Sequence, residues 1–482
     1  MASINASYPL PPDIFFVIID MLATDLRTPP LSKLQALIAL SATCQLLLEL
    51  ARKHIFRTVS IRTSVPRPSW MTPDDFPSIS FDAMESVLKR NPSVANSVRR
   101  LKCQLFSLDF KNSGIGRVLR KFSHLRSLTL MAHEHVMFSS MDDDSEDYSD
   151  GSREDGFDGY ETDSDQDDVE YGIDDQFIDW RYMSQDLLDT LRTLAHLPTL
   201  STIELAQIVN FPLEFLAACQ HLQTLSMFKC RISQMPQVVP FDSEPHLPSR
   251  KAIRLQELRI IPGARSNVRG LKETVLGGIP ILDISHIREL SFTFTTDFDA
   301  PQLGELLAGL LHLETLTLAF KGGSYELPDN FGAMMKARAR YCMDNLRNLR
   351  IQHDILENSY LLEFLLDIPS FSKLHDVEIY LKVYPDMTDY LSKDMEHLAK
   401  EFSIESKFPV LETVSVSICL DEDGESSDSS EEDEDKEDRA EAKAETRSVW
   451  KNLRTTELAP LSALGTVRLS YSVEDVAGNI IA

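Results

Sequence analysis

Near the N-terminus, apolar residues fall at Ile14, Val17, Ile18, Met21 and Leu22. This is the i, i+3, i+4, i+7, i+8 spacing of one helix face. Pro11 and Pro12 cannot lie in a helix interior, and Asp13 stands where a cap would meet the positive helix end. Phe15, Phe16 and Ile19 spread apolar surface around the cylinder, with Asp20 almost the only polar residue inside it. Such a helix needs cover on more than one side. Pro29 and Pro30 break the chain, and Leu34, Leu37 and Ile38 predict a second short helix. Residues 41–56 predict a third, with Cys44, Leu47, Leu48, Ala51 and Ile55 along one stripe. Three short helices bury only a small core. Their surplus apolar surface therefore predicts contact with the rest of the chain or with another protein.

After residue 95 the period changes. The element L-x-x-L-x-L, with other apolar residues allowed, occurs at Leu125-Leu128-Leu130, Leu200-Ile203-Leu205, Leu222-Leu225-Met227, Leu255-Leu258-Ile260 and Ile287-Leu290-Phe292. It continues at Leu313-Leu316-Leu318, Leu346-Leu349-Ile351, Leu374-Val377-Ile379, Leu411-Val414-Val416 and Leu464-Val467-Leu469, with Val98-Leu101-Cys103 as an eleventh copy. From Leu200 to Leu411 the intervals are 22, 33, 32, 26, 33, 28 and 37 residues. The last two apolar positions alternate with polar ones, as in a half-buried strand. Helix-like stretches such as 211–221 and 299–312 lie between copies. One strand and one helix cannot cover their own apolar sides, but stacked units bury one another's leucines at about 1.5–3 kcal/mol per fully buried side chain.

This pattern resembles a leucine-rich-repeat solenoid of the long, irregular kind. The Asn or Cys that usually follows the last leucine by three is mostly absent, Cys230 after Met227 being the clear match. Outward strand positions would line one face, the concave one in such solenoids, and there a protein substrate would bind. Those singled out are Thr224, Ser226, Glu257, Arg259, Glu289, Ser291, Thr315, Thr317, Asn348, Arg350, Asp376 and Glu378.

Charge sharpens the division of the 482 residues. The formal net charge is −27, yet residues 142–175 alone carry 17 acidic side chains against Arg153, and 421–438 carry 12 against Lys436. These two tracts account for the whole excess, so the remainder is neutral. Charge this dense with few apolar residues predicts disorder, placed in long insertions that cost a solenoid little. Thr162, Ser164, Ser429 and Ser430 each precede an acidic residue by three, which resembles casein kinase II acceptor sites. The six cysteines form no CxxC pair and no disulfide or zinc spacing, which fits a reducing compartment. Asp13 and Asp20 interrupt any secretory-type apolar run, and no run approaches the roughly 20 residues of a membrane span.

Other chemistry is sparse. His133, Glu134 and His135 form a short cluster with no further ligands near it in sequence. The glycine pairs in 275–280 and 320–328 lack the Lys-Ser/Thr of a phosphate loop and read as turns. Arg99-Arg100 and Lys336, Arg338 and Arg340 read as helix-like positions, and with a neutral fold no nucleic-acid partner is expected. No His–Ser or His–Cys constellation supports a hydrolase. Neither a cofactor nor a metal is expected.

The N-terminal segment also resembles an F-box, in the form common in fungal F-box proteins. The resemblance rests on Leu10-Pro11, Ile14, Ile18, Leu22, Leu40-Ser41, Cys44 and the closing Ile55-Phe56-Arg57-Thr58-Val59. Pro29-Pro30 in the first connection and Leu47, where a Trp often stands, depart from that pattern. The resemblance implies that Leu10, Pro11, Ile14, Ile18, Leu22, Leu40, Cys44, Leu47 and Phe56 dock the adaptor of an SCF-type cullin–RING ubiquitin ligase. The chain would then be a non-catalytic substrate receptor in cytoplasm or nucleus. The expected architecture is α/β: an F-box-like module at 9–60, a connecting segment at 61–94 and a solenoid at 95–482. Two disordered acidic insertions, at 139–179 and 420–445, would interrupt the solenoid. The alternative is a repeat scaffold whose helices merely cap the first repeat. An F-box would leave Leu10, Pro11, Ile14 and Ile18 partly uncovered, whereas a cap would bury them.

Overall fold

The computed structural model describes residues 11–25, 28–62, 78–106, 113–133, 177–233, 251–262, 268–276, 279–296, 299–320, 342–355, 371–383, 397–398, 400–404, 406–420 and 468–474. The acidic stretches 142–175 and 421–438, Glu134 with His135, the 320–328 glycines and Lys336, Arg338 and Arg340 lie outside the described residues. The expected insertion bounds are too wide: Ile178–Asp179 is a strand paired with Ile208–Val209, with Ile178 buried, and Leu420 ends the strand Thr413–Leu420.

Three helices come first: α1 (Pro12–Thr24), α2 (Pro30–Ser41) and α3 (Gln45–Ile55). Prolines open the first two, where the ring's fixed φ is already helical and the missing N–H costs nothing. Asp13 is not the cap expected from sequence. Pro11 holds that position without a side-chain bond, and Asp13 sits in the first turn, where its charge still meets the positive end. Ile19, Leu37 and Ala51 form a small buried cluster, with Leu22, Ala23, Leu40, Leu47, Leu50 and Ile55 packed around it. The helices thus have their own core, distinct from the main one.

The rest is built on one parallel sheet of thirteen strands. In chain order they are Thr58–Arg62, Ser78–Ser80, Arg100–Phe106, Ser127–His133, Thr202–Ala206, Thr224–Phe228 and Glu257–Ile261. Glu289–Phe294, Thr315–Phe320, Asn348–Ile355, Asp376–Val383, Thr413–Leu420 and Arg468–Glu474 complete it. Each strand neighbours the next in sequence, except that Ser78–Ser80 adds outside Thr58–Arg62 at the edge. Parallel neighbours need crossovers of a dozen residues or more, which the long intervals supply. Helices α4 (Phe81–Arg90), α5 (Ser113–Leu119), α6 (Gln185–Ala195), α7 (Arg269–Glu273) and α8 (Asp299–Leu307) fill several of these crossovers. Ser80 and Ser184 cap α4 and α6 by accepting the amides of Ala83 and Leu187. The helix-like stretch at 211–221 closes as a 3-10 turn, Leu213–Ala218, behind Pro212.

The apolar element sets the register. Leu101, Leu128, Ile203, Leu225, Leu258, Leu290, Leu316, Leu349, Val377 and Val414 pair in one row across the sheet. All ten are buried, as is the parallel row from Cys103 to Val416. A shift of one residue would turn both rows to the opposite face, so burial pins the alignment. Two differences from the sequence reading stand out. The sheet begins at Thr58, inside the segment assigned to the helices and well before residue 95. There Val59 and Ile61 pair with Leu101 and Cys103, so Phe56-x-x-Val59-x-Ile61 is a further copy. At the far end Val414 pairs with Leu469, two residues out of the expected register, and Leu464 and Val467 lie outside the described residues.

A backbone ladder runs along the leading ends of the strands. The carbonyl of Arg57 accepts the amides of Arg99 and Arg100, that of Arg99 accepts Arg126 and Ser127, and that of Arg126 accepts Ser201 and Thr202. The same doubled bond repeats through Ser201, Gln223, Gln256, Arg288, Glu314, Arg347 and His375 to Glu412 and Thr413. Arg99-Arg100 therefore leads into a strand and is not helical, correcting the sequence reading.

Candidate functional site

Two surfaces present the residues singled out from sequence. The first is α1. At 3.6 residues per turn, Ile14, Val17, Ile18 and Met21 share one stripe, and all four face solvent, from 41% exposed at Ile14 to 67% at Met21. Ile19, on the opposite side, is 2% exposed. Leu31 and Ile38, two turns apart on α2, are exposed as well. Among the described residues, seven of the thirteen exposed large apolar side chains lie between Ile14 and Ile38. The other six are scattered, so this concentration is the one apolar feature that calls for an explanation.

The nine residues assigned to adaptor docking separate into groups. Pro11, Ile14 and Ile18 are exposed, and Leu10 lies outside the described residues. Leu22, Leu40 and Leu47 are half-buried against the helices' own core, and Cys44, at the position capping α3, is half-buried too. Phe56 packs on the sheet's core instead, because it is the first apolar position of the strand element that follows. Val17, Met21 and Phe16 join the exposed surface, although sequence reasoning did not select them. Their signal was apolarity in excess of what three helices can bury. On α3, burial holds His54 below its usual range, against the pull of Asp20 3.8 Å away. At neutral pH that contact is thus not an ion pair.

The second surface is the outward side of the sheet. Thr224, Glu257, Glu289, Thr315, Asn348 and Asp376 align in one row, and Ser226, Arg259, Ser291, Thr317, Arg350 and Glu378 in the next. Cross-strand bonds lace these rows. Thr224 donates to Glu257 at 3.1 Å, Asn348 to Thr315 at 3.2 Å, and Arg350 pairs with Glu378 at 2.8 Å. Arg259 pairs with Glu257 on its own strand. Glu289, Arg259, Arg350 and Glu378 are exposed, whereas most of the others are half-buried. Ser226 departs from expectation: it is 1% exposed, a short side chain flanked in register by Glu204 and Arg259.

The remaining chemistry is quiet. Burial pushes the thiols of Cys103, Cys219, Cys230 and Cys342 up to about 12, so none of these is a thiolate nucleophile at neutral pH. A small cleft between Met227, Cys230, Ile232, Ile260, Val268 and Leu271, with room for little more than a water, is lined by apolar side chains alone. Among the described residues no three metal-ligating side chains are gathered, and no helix is long and apolar enough to cross a membrane. No protein-family model matches the chain. No curated protein has a matching sequence.

Proposed function

We propose that this chain is a substrate receptor of an SCF-type cullin–RING ubiquitin ligase. In this reading residues 9–60 are an F-box that docks the adaptor, and the stacked strands are a leucine-rich-repeat-like solenoid that holds a protein substrate. The observation that carries it is the solvent-facing stripe Ile14, Val17, Ile18 and Met21 on a helical unit that already has its own core. Helices serving only as a cap would turn Ile14 and Ile18 onto the first strand. A partner helix or groove would bury the stripe through i, i+3, i+4 and i+7 anchors.

The chain itself catalyses nothing in this reading. It acts by proximity, raising the effective concentration of substrate beside a ubiquitin-charged enzyme. Register and cross-strand bonding give the sheet face a preformed surface, which lowers the ordering cost of binding.

The test is a pull-down with purified SCF adaptor, using wild type and Leu10→Ala/Pro11→Ala/Ile14→Asp, with circular dichroism on both. Capture by wild type that falls at least about tenfold in the folded variant, a change of 1.4 kcal/mol, is the expected result. Folded wild type that captures no adaptor sinks the ligase role and leaves a repeat scaffold.

A further inference from the structure

We propose that the leading ends of the first strands form a binding row for an acidic polypeptide segment. The backbone ladder puts Arg57, Arg99 and Arg126 at equivalent positions on three adjacent strands. Neighbouring strands lie roughly 4.8 Å apart, so the row spans about 10 Å. Arg100 stands beside it, paired in register with Thr58 and Ser127, and Lys102 follows one pleat on. Arg57, Arg100 and Arg126 are exposed. Arg99 is half-buried and donates to the carbonyl of Asn96 at 2.7 Å.

Like charges stacked across strands repel, and elsewhere the sheet offsets them: Glu289 stands opposite Glu257, but Glu257 is paired with Arg259 and accepts from Thr224. At the same ladder position, Arg288, Glu314 and Arg347 alternate in sign. On the outward rows Arg350 pairs with Glu378 and Arg259 with Glu257. Among the described residues, Arg57, Arg99, Arg100 and Arg126 form no such ion pair. Glu204, the carboxylate on the adjoining strand, accepts from Thr129 at 2.7 Å. A same-sign row with three of its four arginines exposed, and none ion-paired among the described residues, is complementary to an anion, and its repulsion is relieved when one binds.

The chemistry favours a polypeptide carboxylate source over nucleic acid. Single-stranded nucleic acid is held by aromatic stacking as well as charge. The outward strand positions beside the arginines are Thr58, Ser60, Ser127 and Thr129, none of them aromatic, and Phe56, next to Arg57, is packed on the sheet's core. Guanidinium forks donate two parallel hydrogen bonds to a carboxylate. This inference goes beyond the receptor role by naming the chemistry of the segment held. It needs no adaptor, so a failed pull-down leaves it standing.

The experiment is fluorescence anisotropy of a labelled alternating Glu-Asp peptide, using the full chain and a second form with residues 142–175 replaced by Gly-Ser so that the chain's own acid does not compete. A Gly-Ser peptide and an oligothymidylate of equal length serve as comparators. Expected are binding that weakens with salt and a loss of about tenfold or more in Arg57→Gln/Arg100→Gln/Arg126→Gln. Arg57→Lys/Arg100→Lys/Arg126→Lys should fall between wild type and the Gln variant, because lysine keeps the charge but not the two-pronged fork, and Lys89→Gln/Arg192→Gln, on helices α4 and α6, should retain all of the affinity. Absence of peptide binding in both forms, equal binding by the Gln variant, or tighter binding of the oligonucleotide overturns the proposal.

Discussion

Ile18→Asp is expected to leave the chain as stable as wild type, whereas Ile19→Asp is expected to melt the three N-terminal helices. The two residues are adjacent and chemically identical, and only their surroundings differ. Ile18 is half exposed on the outer stripe of α1, so an aspartate there meets water and lies within a helix already tolerant of Asp13 and Asp20. Ile19 is one of three fully buried residues in the helical core. Replacing it loses the packing of a buried Ile, about 2–5 kcal/mol, and adds the cost of an unpaired carboxylate or of neutralising it. A core this small cannot absorb that loss. Because the sheet has a separate core, the damage should stay local. Amide hydrogen exchange distinguishes the cases: Ile19→Asp should strip protection from residues 12–55 while the strands from Arg100 onward keep theirs. Equal loss of protection in Ile18→Asp would mean that the outer stripe is packed within the chain, and the docking reading would lose its support.

That pair also shows what was legible in sequence and what was not. The strand rows were legible because alternation with period two leaves little freedom: of eleven copies of L-x-x-L-x-L, ten fall on ten neighbouring strands in the expected register. The copy at Phe56-Val59-Ile61 was hidden because the same residues close the helical segment, and one residue can satisfy two patterns. For the last copy, the sequence alternation continues through Leu469 and Tyr471, which offers two registers, and the one observed pairs Val414 with Leu469. On α1 the periodicity was read correctly, but its direction was not contained in it. Ile14, Val17, Ile18 and Met21 have the spacing of a core face and instead face solvent, since Ile19, Leu22 and Ala23 supply a second apolar face that the core takes. The arginine row was invisible for a different reason. Arg57, Arg99 and Arg126 are separated by 42 and 27 residues and become neighbours only through strand pairing.

Lys407→Ala is expected to destabilise the C-terminal part of the sheet by about 3–5 kcal/mol, the typical cost of stranding one member of a buried ion pair. Lys407 is buried, and its Nζ lies 2.9 Å from Glu401 Oε2, itself largely covered. The pair sits among aromatic rings: Phe371 stacks on Phe408 at 5.5 Å, and Phe402 lies 5.3 Å from Phe408. The carbonyl of Lys407 also accepts the amide of Phe371 at 2.8 Å, so this turn ties the approaches to two neighbouring strands together. Removing the ammonium leaves a carboxylate with no escape to water short of opening that turn. Glu401→Leu/Lys407→Met, by contrast, removes both charges at similar volume, and its stability should fall within about 1.5 kcal/mol of wild type. Urea denaturation of Glu401→Leu, Lys407→Met and the double variant closes the cycle, with an expected coupling of at least about 1.5 kcal/mol. A loss in the double variant equal to the sum of the singles would show that the two side chains act independently. The turn would then be held by its backbone bond and its aromatic rings alone.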